Sequence, residues 1–211
     1  MVGMTRLPYN EDYFDQVDTE EKAYYLGLLL ADGSRFTGRN AVSIDLQEPD
    51  SHILEGLRDA VCPGRTLKTY PNHGVCRKHL RVRLLMTNRR LSESLEKLGM
   101  VLHKSTLLGA VVDLEEPLRR HLVRGYFDGD GSAYRQDVGN HVRLRVGMRG
   151  TEAFLRSLLP WLPVPMKVRF NKQWEIYTSR HFEAMDLCEW MYEGATVFLG
   201  RKHQKYSALV G

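Results

Sequence analysis

The chain holds no apolar stretch long enough to cross a bilayer, which excludes a membrane span. Its first eighteen residues lack a hydrophobic run and carry Glu11, Asp12, Asp15 and Asp18, the opposite of a secretory or Arg-rich transit signal. An intracellular protein with no membrane partner is therefore expected. Cysteine is scarce: Cys62, Cys76 and Cys188 are widely and irregularly spaced, so neither a disulfide framework nor a zinc site is indicated, and small packed residues are expected instead. His73, His103 and His121 have no metal-ligand spacing, and Trp161, Trp174 and Trp190 are expected in the core or at sheet edges. Acids are missing altogether between Arg77 and Arg90, a stretch that holds Arg77, Lys78, Arg81, Arg83, Arg89 and Arg90. Such a run is either a solvated face or a polyanion-binding one.

With 211 residues, 43% of them hydrophobic, the chain can bury one sizeable core or two small ones. A net charge of +4 is weak evidence for a nucleic-acid partner; the distribution of that charge says more. An internal repeat organises the whole. YYLGLLLADGSRF at 24–36 aligns with LVRGYFDGDGSAY at 122–134, superposing Gly27 on Gly125, Ala31 on Gly129, Asp32 on Asp130, Gly33 on Gly131 and Ser34 on Ser132. The offset, 130 − 32 = 98, is too long for a solenoid repeat and suits a duplicated domain, with units at 1–110 and 111–211.

Each copy reads as an apolar helix ending at its aspartate. Thr19 with Glu20 and Glu21 starts the first and Glu115-Glu116-Pro117 the second, while Gly33 and Gly131 are expected as left-handed caps. Gly27 with Ala31, and Gly125 with Gly129, share a helix face and permit close backbone approach. A carboxylate at a helix C-terminus opposes the macrodipole. If two such helices pack together, their carboxylates at ~6 Å and an effective dielectric of ~20 repel by about 3 kcal/mol, so a cation should sit between them. Mg²⁺ fits, since it takes oxygen ligands from one or two carboxylates together with phosphate and water.

Beyond each helix, strands are expected at 33–37, 41–47, 65–70 and 78–86 with helices at 50–60 and 88–98, then strands at 131–136, 141–149, 166–171 and 174–179 with helices at 151–159 and 181–192. Alternation puts Leu80, Val82, Leu84, Val142, Leu144, Val146, Met148, Met166, Val168, Phe170, Val42, Ile44 and Leu46 inward. The outward set combines arginine with Asn, Gln, Tyr and Asp, the mixture needed to read base edges in a major groove, although any half-buried sheet has one wet face. Candidate DNA contacts are Ser34, Phe36, Ser43, Asp45, Gln47, Lys68, Tyr70, His79, Arg81 and Arg83 in the first copy. Ser132, Tyr134, Gln136, Arg143, Arg145, Lys167, Arg169, Asn171, Gln173, Glu175 and Tyr177 are those in the second. Lys104, Arg201, Lys202 and Lys205 are either backbone contacts or solubilising charge.

The doubled LGLLLADGS and RGYFDGDGS, each followed by an alternating strand pair, resemble the two-repeat, monomeric form of the LAGLIDADG homing endonucleases. The resemblance spans roughly residues 19–207 and is supported by LEKLGMVLHKST at 95–106 and FLGRKHQKY at 198–206. It implies an α+β fold of two pseudo-symmetric αββαββα units, whose two antiparallel sheets form a saddle on double-stranded DNA with the motif helices packed at the centre. It further implies metal-dependent phosphodiester hydrolysis leaving short 3′ overhangs at a long asymmetric target. Asp32 and Asp130 would hold Mg²⁺, with the Ala31 and Gly129 carbonyls as further ligands and Mn²⁺ or Ca²⁺ as substitutes for binding. Gln47, Arg180 and its counterpart Arg89 are the candidates for ordering solvent at the metals. The sequence departs from the family pattern at Leu26 and Leu30, where the second copy has Arg124 and Asp128, and this makes the two helices unlike. A non-cleaving DNA-binding regulator or an intron RNA maturase on the same fold is the rival reading.

Overall fold

The computed structural model describes residues 8–36, 38–72, 80–139 and 141–210, without the side chains of 136–138, 141, 142, 205, 206 and 208–210. Two halves of like order follow one another. The first runs α1 (Glu20–Asp32), β1 (Gly33–Phe36), β2 (Ala41–Gln47), α2 (Ser51–Val61), β3 (Lys68–Tyr70), β4 (Arg81–Thr87), α3 (Arg89–Lys97) and the short α4 (Lys104–Leu107). The second runs α5 (Glu116–Asp130), β5 (Gly131–Val138), β6 (His141–Gly150), α6 (Glu152–Leu158), β7 (Lys167–Asn171), β8 (Gln173–Thr178), α7 (His181–Tyr192) and α8 (Gly200–Val210). Both four-stranded sheets are antiparallel and share one order, β1-β2-β4-β3 and β5-β6-β8-β7.

α1 starts where expected, with the Thr19 hydroxyl accepting from the Lys22 N–H, and its residues Ala23 to Ala31 are all buried. A helix buried all round needs a second helix against it, and α5 fills that place. The contact is so close that glycine is obligatory: a Cβ on Gly27 would lie 2.0 Å from the Leu122 carbonyl oxygen, and one on Gly125 2.0 Å from that of Tyr24. The two clashes are the same clash seen from either side, since 122 and 125 are 24 and 27 shifted by the repeat offset of 98.

Gly33 and Gly131 do terminate the helices, but not as left-handed caps. Both are extended (φ −69° and −90°), with their N–H groups returning to the carbonyls of Leu29 and Phe127. Glycine is required there by crowding, because a Cβ on Gly33 would meet the Leu29 carbonyl at 2.5 Å and one on Gly131 the Phe127 ring at 2.2 Å.

The inner sheet faces carry Val42, Ile44, Leu46, Val82, Leu84, Leu144, Val146 and Met148, all buried. Two residues expected inward are not: Leu80 precedes β4 and is 40% exposed, and Phe170, on the edge strand β7, is 63% exposed with its ring against Trp174. Among the described residues no helix is long and apolar enough to cross a membrane. Cys62 and Cys188 are buried and free; Cys76 lies outside the described residues.

Candidate functional site

α1 and α5 end side by side, which brings Asp32 and Asp130 to one place. A Cβ on Gly129 would stand 2.3 Å from that of Ala31 and 3.1 Å from Asp32 Oδ2, so both aspartates and the residues before them meet at the helix tips. Both carboxylates reach solvent, yet packed protein surrounds each on its other sides. This partial loss of water raises the Asp32 carboxyl above its ordinary range, against the opposing pull of Lys104, Arg81, Lys202 and Arg201. The Asp130 carboxyl is pushed up to about 6, by burial first and then by the negative charge of Asp32. Two repelling, hard oxygen donors with raised affinity for a positive charge form a donor set suited to Mg²⁺ or Ca²⁺. Among the described residues no three His, Cys, Asp or Glu side chains are grouped so as to hold a metal ion, so remaining ligands would come from backbone, water or phosphate.

Two lysines complete the centre. Lys104, at the start of α4, donates to the Leu30 carbonyl at 3.1 Å. Lys202, in the first turn of α8, donates to the Phe127 carbonyl at 3.2 Å and to that of Gly131, with its ammonium over the Phe127 ring. Each binds backbone carbonyls at a helix C-terminus and places a cation beside the carboxylates. Burial lowers the Lys104 pKa while Asp130 and Asp32 hold it up. The sequence did carry a signal for this pair: 202 − 104 = 98, the repeat offset itself.

Arg89 and Arg180 are not part of this centre. β1 and β5 lead away from the aspartates, β2 and β6 return, and β4 and β8 lead away again. The row through Gly33 crosses β4 at Leu84, and the row through Gly131 crosses β8 at Ile176, so Arg89 and Arg180 lie beyond the remote ends of those strands. Both are largely exposed and paired locally, with Glu93 and Glu183. Gln47, at the returning end of β2, does lie at the centre's end of the sheet, opposite Arg81.

The outer sheet faces hold the expected contact residues in register. In the first, Ser34, Ser43 and Leu85 form one row, Lys68, Arg83 and Asp45 another, and Tyr70, Arg81 and Gln47 a third. In the second, Lys167, Tyr177 and Gly147 align, as do Arg169, Glu175 and Arg149. Ser34, Phe36, Lys68, Ser132, Tyr134, Arg143, Lys167, Arg169, Asn171 and Gln173 are exposed. Three residues expected to face outward freely do not: Ser43, Arg145 and Glu175 are buried by their neighbours. Glu175 takes Arg145 and Arg169, whose guanidinium groups flank the Tyr177 ring at 3.7 and 4.7 Å, and the absence of a side chain at Gly147 leaves room for this cluster. Asp45 holds Arg83 and Tyr70 in the same manner. His79 lies outside the described residues, as does the side chain of Gln136.

No sequence-family model matches the chain, and no curated protein does. Solved structures do. The LAGLIDADG meganuclease I-AabMI bound to uncleaved DNA superposes with a TM-score of 0.59 at 13% identity, covering 89% of this chain and 88% of that one. The chain has the LAGLIDADG fold. The homing endonuclease I-WcaI bound to its DNA recognition sequence gives 0.59 at 15% identity over 97% and 95% of the two chains. The N-terminal LAGLIDADG domain of DUF199/WhiA gives 0.52 at 14% over 97% and 100%. The LAGLIDADG fold is therefore shared with chains of differing description, and at these identities likeness fixes architecture rather than activity.

Proposed function

We propose that this chain is a divalent-metal-dependent endonuclease of double-stranded DNA, acting as a monomer whose two repeats, divided near residue 110, straddle one long asymmetric target. The single observation that carries this reading is the meeting of Asp32 and Asp130 at the tips of α1 and α5, between two arginine-bearing sheet faces. A divalent ion bound there would supply charge neutralisation at phosphorus and a water acidified enough to attack it. Asp32 and Asp130 would hold that ion through their carboxylates, with the Ala31 and Gly129 carbonyls as supplementary oxygens. Lys104 and Lys202 would face the scissile phosphates as fixed ammonium groups, oriented by their bonds to helix carbonyls. Gln47 would order solvent on the Asp32 side. Arg81, Arg83, Arg143 and Arg169 would meet base edges or phosphates along the saddle. Short 3′ overhangs follow from the family resemblance.

The DUF199/WhiA likeness keeps a non-cleaving DNA binder as the second reading. Two anions raised in pKa and aimed at the same point are a liability for a protein that only binds a phosphate backbone, which favours cleavage. A selection for cut sites in a randomised duplex library with Mg²⁺ tests both. Wild type is expected to cut long, imperfectly palindromic sites, whereas Asp32→Asn and Asp130→Asn bind the recovered sites without cutting. Equal cutting by Asp130→Asn refutes the metal assignment, and binding without cutting by wild type establishes the second reading.

A further inference from the structure

We infer that Asp128 is a positioning residue for Lys202, fixing the start of α8 against the end of α5 and so acting on the cut at the phosphate that Lys202 faces and not on the cut at the phosphate that Lys104 faces. Its catalytic half rests on the nuclease reading; its structural half does not. Asp128 is fully buried, and its carboxylate accepts three hydrogen bonds: from the Tyr24 hydroxyl of α1 at 2.9 Å, from the Tyr192 hydroxyl at the end of α7 at 2.6 Å, and from the Leu199 N–H just before α8 at 2.7 Å. Leu199 is one helical turn from Lys202, whose ammonium binds the carbonyls of Phe127 and Gly131. One turn earlier in α5, the buried Arg124 donates to the carbonyls of Met191 and Val197. Residues 124, 127 and 128 share one face of α5, and together they hold residues 191, 192, 197, 199 and 202.

Among the described residues the first repeat has no equivalent clamp. The positions 98 residues earlier are Leu26, Leu29 and Leu30, all apolar, and Lys104 opens a four-residue helix directly after a left-handed His103. Removing the Asp128 carboxylate frees Leu199 N–H and the first turn of α8, and with it the direction of the Lys202 ammonium. Lys104 and Asp32 are untouched. Loss of Asp128 therefore separates two cuts that a purely structural defect would slow together.

The experiment uses a supercoiled plasmid carrying a duplex recovered from the randomised library, with Mg²⁺, and follows each strand. Wild type should linearise it. Asp128→Leu, which installs the residue found in the first repeat, should accumulate nicked circle, with one strand slowed about tenfold or more. The slowed strand should be the one slowed by Lys202→Met and not by Lys104→Met. Asp128→Asn keeps an acceptor for Leu199 and should restore most of the second cut. Amide hydrogen exchange in the same variants should rise at residues 199–202 while the α1–α5 contact stays protected. Equal slowing of both strands, or unchanged exchange at 199–202, overturns the inference. If Asp128→Leu does not fold, Tyr192→Phe should give the same strand bias at smaller size, and an even loss there overturns it equally. Should wild type cut nothing, the nuclease reading fails by itself, and hydrogen exchange alone decides the positioning claim.

Discussion

α1 and α5 are superposable in what they show to each other and opposite in what they show to the rest of the chain. Across their contact, Gly27 and Gly125 make the same approach in both directions. Away from it, α1 presents Leu26 and Leu30 where α5 presents Arg124 and Asp128, both of them fully buried. Burying a charge costs several kcal/mol unless it is paired and hydrogen-bonded, and here both are: Arg124 with Glu20 and two carbonyls, Asp128 with two hydroxyls and an N–H. The difference teaches that duplication is retained where the two-fold contact demands it and relaxed where only one copy must bind the segment leading into α8. Burial pushes the Asp128 carboxyl up while its three donors hold it down, and pushes His121, beside Arg124, down to about 4.

The largest effects should come from breaking the symmetric part. Gly27→Ala or Gly125→Ala gains about 1 kcal/mol of helix propensity but sets a methyl group against a backbone oxygen that cannot move without separating the helices. The clash wins, and each variant should lose about 3 kcal/mol or more in urea unfolding. Similar losses at the two positions confirm reciprocity; a neutral Gly125→Ala breaks it. Next comes the asymmetric part, probed by placing methionine at equivalent positions. Leu26→Met should cost less than about 1.5 kcal/mol because volume is conserved. Arg124→Met removes the ion-pair partner of Glu20, which keeps the Thr196 N–H, and the donors to the carbonyls of Met191 and Val197, and should cost about 2–3 kcal/mol. Equal costs would mean that the buried arginine is no more than filler.

Much of this was legible in the sequence. The two motif helices, the strands after them and the identity of most inward residues, though not Leu80 or Phe170, follow from strong periodicities repeated at one offset. Arg89 and Arg180 follow the ends of β4 and β8, but those ends are not the ends that face the aspartates. Following direction through an antiparallel sheet, out along β1, back along β2 and out along β4, puts those residues at the far rim. Lys104 and Lys202 obey the offset that revealed the aspartates, but a lysine in a basic tail has a bland explanation that an aspartate at a helix C-terminus lacks. A left-handed turn is expected at Gly33 and Gly131 because glycine after a helix often makes one; the crowding that selects glycine here comes from the Leu29 carbonyl and the Phe127 ring. The Asp128 clamp was not legible, since its partners Tyr24 and Tyr192 lie 104 and 64 residues away and neither spacing has a pattern.

The smallest expected effect separates the two aspartates themselves. Asp32 is raised by burial but faces four cationic side chains, whereas Asp130 is raised to about 6 by burial and by Asp32, with only two cations among its principal opposing influences. A carboxyl whose folded pKa lies above its unfolded value takes up its proton earlier in the folded state as pH falls. Its contribution to stability is therefore greatest below the unfolded value, near 3.8, and declines as pH rises, reaching its full penalty above about 6. In EDTA, Asp130→Asn should thus melt slightly higher than wild type at pH 7.5, and this advantage should vanish toward pH 4. Because the two groups are coupled, the midpoint belongs to the pair, and Asp32→Asn should move the wild-type transition to lower pH by removing the neighbouring charge. Adding Mg²⁺ or Ca²⁺ at pH 7.5 should raise the melting temperature of wild type and reverse the order, and lowering the pH below 6 should abolish that gain as protons displace the ion. An Asp130→Asn advantage that is independent of both pH and divalent ions would show that the two carboxylates do not sense each other.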